Sequence, residues 1–314
     1  MRVTAPLALT LVSTSVAANQ YGGVTLSAWN IATAYSVGNR VYYYAGATVP
    51  LVYHAFEALT AHIGQTPAIG GTSDWLDLGP VNDRAMFDSR TGTLTTASEE
   101  IDVTVAPGAF FDHIALVRLE GCFTVQITVS RGSGETYQEF YDQTFDVTDD
   151  ATSWRDYFFS DDTAVRTALT ITPQIFYSDT RVRVILTGAT GSTVGLGLLL
   201  VGRGRDLGDT IDSPSLGIED YSTKETDAFG NTYLLEREYA DRASVQLILP
   251  PGQVDAVRRI LASYRATPAL YDFNNTDADE RWDSLIIFGY YEDFEVTLSY
   301  PGKSFCSLSV QSLI

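Results

Sequence analysis

Phe123-Thr124-Val125-Gln126-Ile127-Thr128-Val129 alternates apolar and polar residues without a break. Successive side chains of a β-strand point to opposite faces, so this order puts Phe123, Val125, Ile127 and Val129 on one side. Such a segment has one face for a core and one for water, the mark of a half-buried antiparallel strand. The pattern recurs in Ile101-Asp102-Val103-Thr104-Val105 and in Thr180-Arg181-Val182-Arg183-Val184-Ile185-Leu186. Ala106-Pro107-Gly108, Arg131-Gly132-Ser133-Gly134 and Gly188-Ala189-Thr190-Gly191 punctuate the runs as turns. Many short strands with Gly-rich turns predict a β-sandwich or jelly roll over residues 81–205.

The sequence changes character on either side. Residues 206–314 open with a loop-like connection, Asp206–Asp220, in which Gly208, Pro214 and Gly217 stand among acidic residues. Ala243–Leu249 reads as a strand. Gln253–Arg265 then places Val254, Val257, Ile260, Leu261 and Tyr264 on one helical face, and Pro268 closes the helix. Leu285–Tyr290, Phe294–Tyr300 and Phe305–Leu313 read as strands, the last two joined by a Pro301-Gly302 turn. The order implies a small α+β domain with one amphipathic helix. Residues 1–80, rich in Tyr, Ala, Gly and Thr, form a third segment, an N-terminal arm with a small aromatic antiparallel module. The expected fold is mainly β and multidomain, as 314 residues are many for one core.

Composition narrows the function. A formal charge of −19 repels nucleic acid and anionic lipid, which argues against nucleic-acid binding. No apolar run approaches a membrane span, so membrane insertion is not expected. Cys122 and Cys306 stand far apart in apolar runs, with no CxxC or Cys/His cluster, and read as buried free thiols rather than metal ligands. Met1–Ala18 mimics a secretory signal, with Arg2 before Ala5-Pro6-Leu7-Ala8-Leu9 and Ser15-Val16-Ala17 as a cleavage-like end, but Thr10, Ser13, Thr14 and Ser15 interrupt the apolar stretch.

The N-terminal aromatic residues form an ordered series: Ser27-Ala28-Trp29-Asn30, Tyr35-Ser36-Val37-Gly38-Asn39-Arg40-Val41, Tyr53-His54-Ala55, then Pro67 and Trp75. This series resembles the small chitin- and cellulose-binding modules, with their Ala-Trp start, Tyr-x-x-Gly-Asp-x-Val turn and strand, Tyr-x-Ala strand and closing Pro…Trp. The resemblance implies a tiny antiparallel fold whose rings stack on the apolar faces of sugars. Asn39 stands where the family has an acidic residue, and an insertion at residues 44–50 lengthens the hairpin. Trp29, Tyr35 and Trp75 have a second reading, since so small a domain needs large apolar groups as its core. Glycan contact is expected of Tyr42, Tyr43 and Tyr44, with Trp29 and Trp75 as further candidates. On a strand Tyr42 and Tyr44 face one side and Tyr43 the other, so the three cannot all be core.

Further along, Trp75-Leu76-Asp77-Leu78-Gly79-Pro80-Val81-Asn82, followed by Met86-Phe87-Asp88, resembles a junction that recurs in virion proteins of tailed bacteriophages. Pro107-Gly108 with Asp112-His113-Ile114-Ala115-Leu116 fits the opening strands of the sandwich in those proteins. Tyr264-Arg265-Ala266-Thr267-Pro268-Ala269-Leu270, Phe288-Gly289-Tyr290-Tyr291-Glu292-Asp293-Phe294 and Cys306-Ser307-Leu308-Ser309-Val310 are similar to the same group. The resemblance implies a structural protein of the tail, tail tip or baseplate. It would assemble in the host cytoplasm as a homo-oligomer with other tail proteins and touch host-surface polysaccharide. A secreted polysaccharide-binding protein with a signal peptide is the alternative, and a tail-associated glycan hydrolase a third.

Catalysis finds little footing. The acidic clusters Asp149-Asp150, Asp161-Asp162 and Asp277-Asp279-Glu280 lie in polar, turn-like stretches and read as solvated loops. His54, His62 and His113 are the only histidines, and no G-x-S-x-G accompanies them. Gly202-Arg203-Gly204-Arg205 reads as a turn rather than a dinucleotide loop. Asp272–Asp279 offers oxygen ligands but lacks the EF-hand glycine and terminal Glu. Neither an enzyme, nor a cofactor, nor a metal centre is expected.

Overall fold

The alternating runs pair into ladders whose apolar residues line up across strands. Val125, Leu186 and Ile101 form one row, Ile127, Val184 and Val103 the next, and Val129, Val182 and Val105 a third. All nine side chains are fully buried. This face belongs to a five-stranded antiparallel sheet in the order Thr136–Asp146, Cys122–Ser133, Thr180–Gly188, Glu100–Ala106, Thr10–Thr14. The opposite face carries the polar partners, including an Arg183–Asp102 ion pair at 2.6 Å and a Gln126–Asp142 hydrogen bond at 2.9 Å. A computed structural model supplies this description for residues 1–44, 52–133, 136–148, 166–173, 177–211, 214–226, 229–274, 282–298 and 302–313. The chain is mainly β, as expected, with 59% of residues in strands and 8% helical, so sheets carry the architecture.

The chain divides into two compact units that do not follow chain order. One comprises residues 7–88 and 93–201, the other residues 1–6, 89–92 and 202–314. In the first, the five-stranded sheet shares its core with a second layer built from Ala168–Ile171, His113–Glu120 and the first part of Thr193–Asp206, with Thr95–Ser98 on its flank. Ile114, Leu116, Leu169, Val194 and Leu196 of this layer are buried with Val103, Ile127 and Val184 of the other. The result is sandwich-like, and apolar burial between two sheets is what stabilises it.

One residue of the deciding stretch departs from its pattern. The register slips between Cys122 and Thr124, so Cys122 turns inward and Phe123 outward, 39% exposed. A β-bulge adds one residue to one strand and reverses the facing of what precedes it. The turn before it needs Gly121, whose φ is +63° and whose missing Cβ leaves room for the Thr193 carbonyl.

In the other unit the strand order is Gly202–Asp206 (the end of Thr193–Asp206), Arg2–Pro6, Ala269–Asp272, Ile286–Thr297, Ser304–Ser312, Tyr239–Leu249, with Asp209–Thr210 and Ser215–Asp220 along the last. The helix forms over Val254–Ser263, with Val257 and Leu261 buried and Val254, Ile260 and Tyr264 packed beside them. They meet Val245, Leu247, Tyr271, Ile287, Cys306 and Leu308 in one core.

Several expectations change here. The signal-like Arg2–Pro6 is a strand paired on both sides. Gly202-Arg203-Gly204-Arg205 is not a turn but part of a strand, its glycines placed where a Cβ would meet the Ala5 carbonyl and the Arg2 side chain. Leu285–Tyr290 and Phe294–Tyr300 merge into one strand, Ile286–Thr297, with a bulge between Tyr291 and Asp293. The expected connection contains the strand Ser215–Asp220, missed because both its faces are exposed and it shows no burial periodicity.

Candidate functional site

The aromatic module is built on a four-stranded sheet in the order Trp75–Pro80, His54–Ala58, Arg40–Tyr43, Ser27–Ala28. Its last pair is parallel, Ser27 beside Val41 and Ala28 beside Tyr42, whereas the other pairs are antiparallel. The turn before Arg40 explains the Tyr-x-x-Gly-Asn spelling. Gly38 takes φ +83°, and Asn39 Oδ1 accepts the Ser36 N–H at 2.8 Å. Asn keeps the acceptor oxygen an acidic residue would supply, so the substitution preserves the turn.

Trp75 is fully buried and Tyr35 nearly so, packed with Val41, Phe56 and Ala58, with Trp29 and Tyr43 half-buried against them. The Tyr35 ring meets Trp75 edge-on at 5.1 Å, and its hydroxyl accepts the Asn30 N–H at 2.7 Å. His62 fills the gap beside them, 4.7 Å from Trp75 and 5.8 Å from Tyr35, and neither buried ring nitrogen has a hydrogen-bond partner. Trp29 and Trp75 both donate their indole N–H to the Gln65 carbonyl, at 3.1 and 2.8 Å. Trp75 and Tyr35 are therefore core, while Trp29 is divided between core and surface.

The three tyrosines separate by face. Tyr43 packs edge-on against Trp29, ring centroids 5.0 Å apart and planes at 68°. Tyr42 and Tyr44 meet Tyr53, at 5.6 and 6.0 Å, and Tyr42 packs with Leu26, Ala55 and Val81. All three are half-buried. Trp29 and Tyr43, both half-buried, form one ring pair at the margin of the Trp75 core. The insertion, residues 45–50 beyond Tyr44, lies outside the described residues.

Asp77 braces the module from its first strand. Its carboxylate meets His54 Nδ1 at 2.9 Å and accepts the N–H groups of Gly70 at 2.8 Å and Gly79 at 2.9 Å. Burial pushes its pKa up, but the Gly70 amide, the His54 ring and the Gly79 amide together outweigh burial and hold it below the usual carboxylate value. Sequence reasoning passed over Asp77 and Gln65, because a carbonyl and a lone Asp carry no motif.

The junction after Trp75 is structural. Asn82–Phe87 forms a 3-10 turn that buries Asp83, Met86 and Phe87. Asn82 exchanges hydrogen bonds with the Thr96 backbone at 2.7 and 2.8 Å, and Asp83 accepts the Asn19 N–H at 2.9 Å. A buried carboxylate satisfied by Arg84 and a backbone amide fixes chain direction, the geometric use of the Asn and Asp in this motif.

Among the described residues no group of three or more His, Cys, Asp or Glu side chains is arranged to hold a metal ion. Asp272 and Asn274, the start of the acidic loop, are buried and bonded to one another at 2.9 Å. The remainder of that loop from residue 275, and the acidic clusters at 149–150, 161–162 and 277–280, lie outside the described residues. Among the described residues no helix is long and apolar enough to cross a membrane. No protein-family model matches the chain, and no curated protein matches its sequence.

Proposed function

We propose that this chain is a non-catalytic structural component of a tailed-bacteriophage virion, in the tail, tail tip or baseplate, working as a homo-oligomer. The observation that carries the reading is the ordered series of motifs from Ala28-Trp29 through Trp75…Asp88 to the Phe288–Phe294 and Cys306–Val310 runs, which together span most of the sequence. A mainly β chain with extensively paired sheets supports it, since an assembly component needs stiff surfaces rather than a mobile catalytic cleft. The aromatic module is the host-facing part in this reading, with Trp29 and Tyr43 as the ring pair offered to a sugar face.

The secreted polysaccharide-binding alternative requires removal of Met1–Ala18. That cut would take away the strand Arg2–Pro6, with its partners on both sides, and Thr10–Thr14. These pairings support retention of the segment. Mass spectrometry of purified particles tests the proposal: peptides from this chain are expected among the virion proteins, and their absence would remove it. Glycan binding is tested separately on host envelope polysaccharide. Tyr43→Ala is expected to weaken binding by about 1 kcal/mol through lost stacking, and equal binding by Ala variants of Tyr42, Tyr43 and Tyr44 would make the module a spacer.

A further inference from the structure

The unit formed by residues 1–6, 89–92 and 202–314 carries two surfaces of opposite character. The first centres on the helix Val254–Ser263 and the strand end beside it. Arg205 and Arg259 flank a shallow groove floored by Ala256, Ile260 and Tyr264, and Asp255 and Arg258 continue it along the helix. Arg203 lies two residues from Arg205 on the same strand and so on the same face. Arg203, Arg205, Arg258 and Arg259 are exposed, and among the described residues none of them is ion-paired. In a chain of 39 acidic and 20 basic residues, four arginines beside one lining carboxylate, Asp255, make a net basic patch.

The second surface is formed by residues 215–226 and 229–242. Among the described residues Ser215–Asp220 pairs with Tyr239–Leu249 on one side only, and every residue of it is exposed. The hairpin of Thr223–Thr226 and Thr232–Leu235 follows, and it too is almost wholly exposed. Ile218 is 64% exposed, Leu234 72% and Phe229 91%. An isolated two-stranded hairpin is marginal in water, and a contiguous apolar surface of this kind marks an interface. Glu219, Asp220, Glu225, Glu236 and Glu238 stand among these apolar groups and outnumber the exposed Lys224 and Arg237, so the stretch is acidic on balance.

We infer that a second copy of this chain covers each surface: the apolar, acid-flanked hairpin and edge strand of one copy dock on the arginine-flanked groove of the next. The match is double, leucine and phenylalanine against an alanine, isoleucine and tyrosine floor, and glutamate against arginine. Among the described residues the two surfaces make no ion pair with each other, which leaves both open to a second copy. Because the two surfaces differ, the contact is heterologous and generates a ring when its rotation closes. The inference rests on the reading of the chain as an assembling subunit and names the surfaces by which it assembles.

Sedimentation velocity on the full chain, over a wide range of protein concentration and at low and high salt, tests it. The wild-type chain is expected to self-associate, less so at high salt. Arg258→Glu with Arg259→Glu is expected to lower the association constant by at least about tenfold, and Glu236→Lys with Glu238→Lys to do the same. Mixing the two charge-reversed proteins is expected to restore mixed assembly, which a folding defect in either would not allow. Assembly that persists unchanged in both variants overturns these surfaces and leaves the assembly reading standing. A wild-type chain that stays monomeric overturns the inference, while its presence in particles by mass spectrometry decides the virion reading independently.

Discussion

Trp29 and Trp75 share one acceptor, the Gln65 carbonyl, which takes both indole N–H groups at 3.1 and 2.8 Å. A carbonyl oxygen has two lone pairs, so both donors are satisfied without competition. The two rings nevertheless do different work, because Trp75 is fully buried and Trp29 only half-buried. Trp75→Ala is expected to destabilise the first unit by about 3–5 kcal/mol, the cost of a cavity of indole size. Trp29→Ala is expected to cost about 1–2 kcal/mol, from partial burial and one hydrogen bond. Urea unfolding of both variants measures the difference, and equal losses would contradict the division of roles.

Asp77 makes the same unit acid-sensitive. A carboxyl whose folded pKa lies below its unfolded value of about 3.9 contributes stability above that value and loses it as pH falls through the folded pKa. Wild-type stability should therefore drop on acidification below the unfolded value. Asp77→Asn should start less stable at neutral pH and show a shallower acid limb. Unfolding midpoints followed downward from neutral pH provide the check, and parallel curves for the two proteins would exclude Asp77 as a contributor.

Burial pushes the thiols of Cys122 and Cys306 up to about 11. Only the thiolate attacks a disulfide reagent, and both sulfurs sit inside cores. Native protein at mildly alkaline pH is expected to leave both unmodified by an aromatic disulfide reagent, and denatured protein to react at both. Rapid reaction of either one in the native state would mean that its strand opens readily.

Gly121 is the hinge of the bulge that turns Phe123 outward. Gly121→Ala would hold a Cβ at φ +63° and drive it into the Thr193 carbonyl, so a loss of about 1–3 kcal/mol or more is expected. Gly191→Ala is the control, since its φ of +79° is strained but no atom lies within 4 Å of the new Cβ. Thermal unfolding should rank Gly121→Ala well below Gly191→Ala, and the reverse order would place the constraint elsewhere.

Much of this molecule is fixed by local pattern. Val125, Ile127 and Val129 alternate because a pleated chain offers its faces in turn, and they meet Leu186, Val184 and Val182 as their own alternation requires. The helix face of Val257 and Leu261 is equally local, as is the turn that Gly38 and Asn39 impose. What only the tertiary structure decided depends on partners distant in the chain. Arg2–Pro6 becomes a strand because Gly202–Asp206 and Ala269–Asp272 flank it, and no nearby residue announces pairing across two hundred positions. Phe123 leaves the core through a one-residue slip that alternation alone cannot register. In the aromatic site the residue types were legible, but the sorting of Trp75 to the core and Trp29 to its margin followed from packing, because the Tyr35, Phe56 and His62 side chains that enclose Trp75 come together only in the folded module.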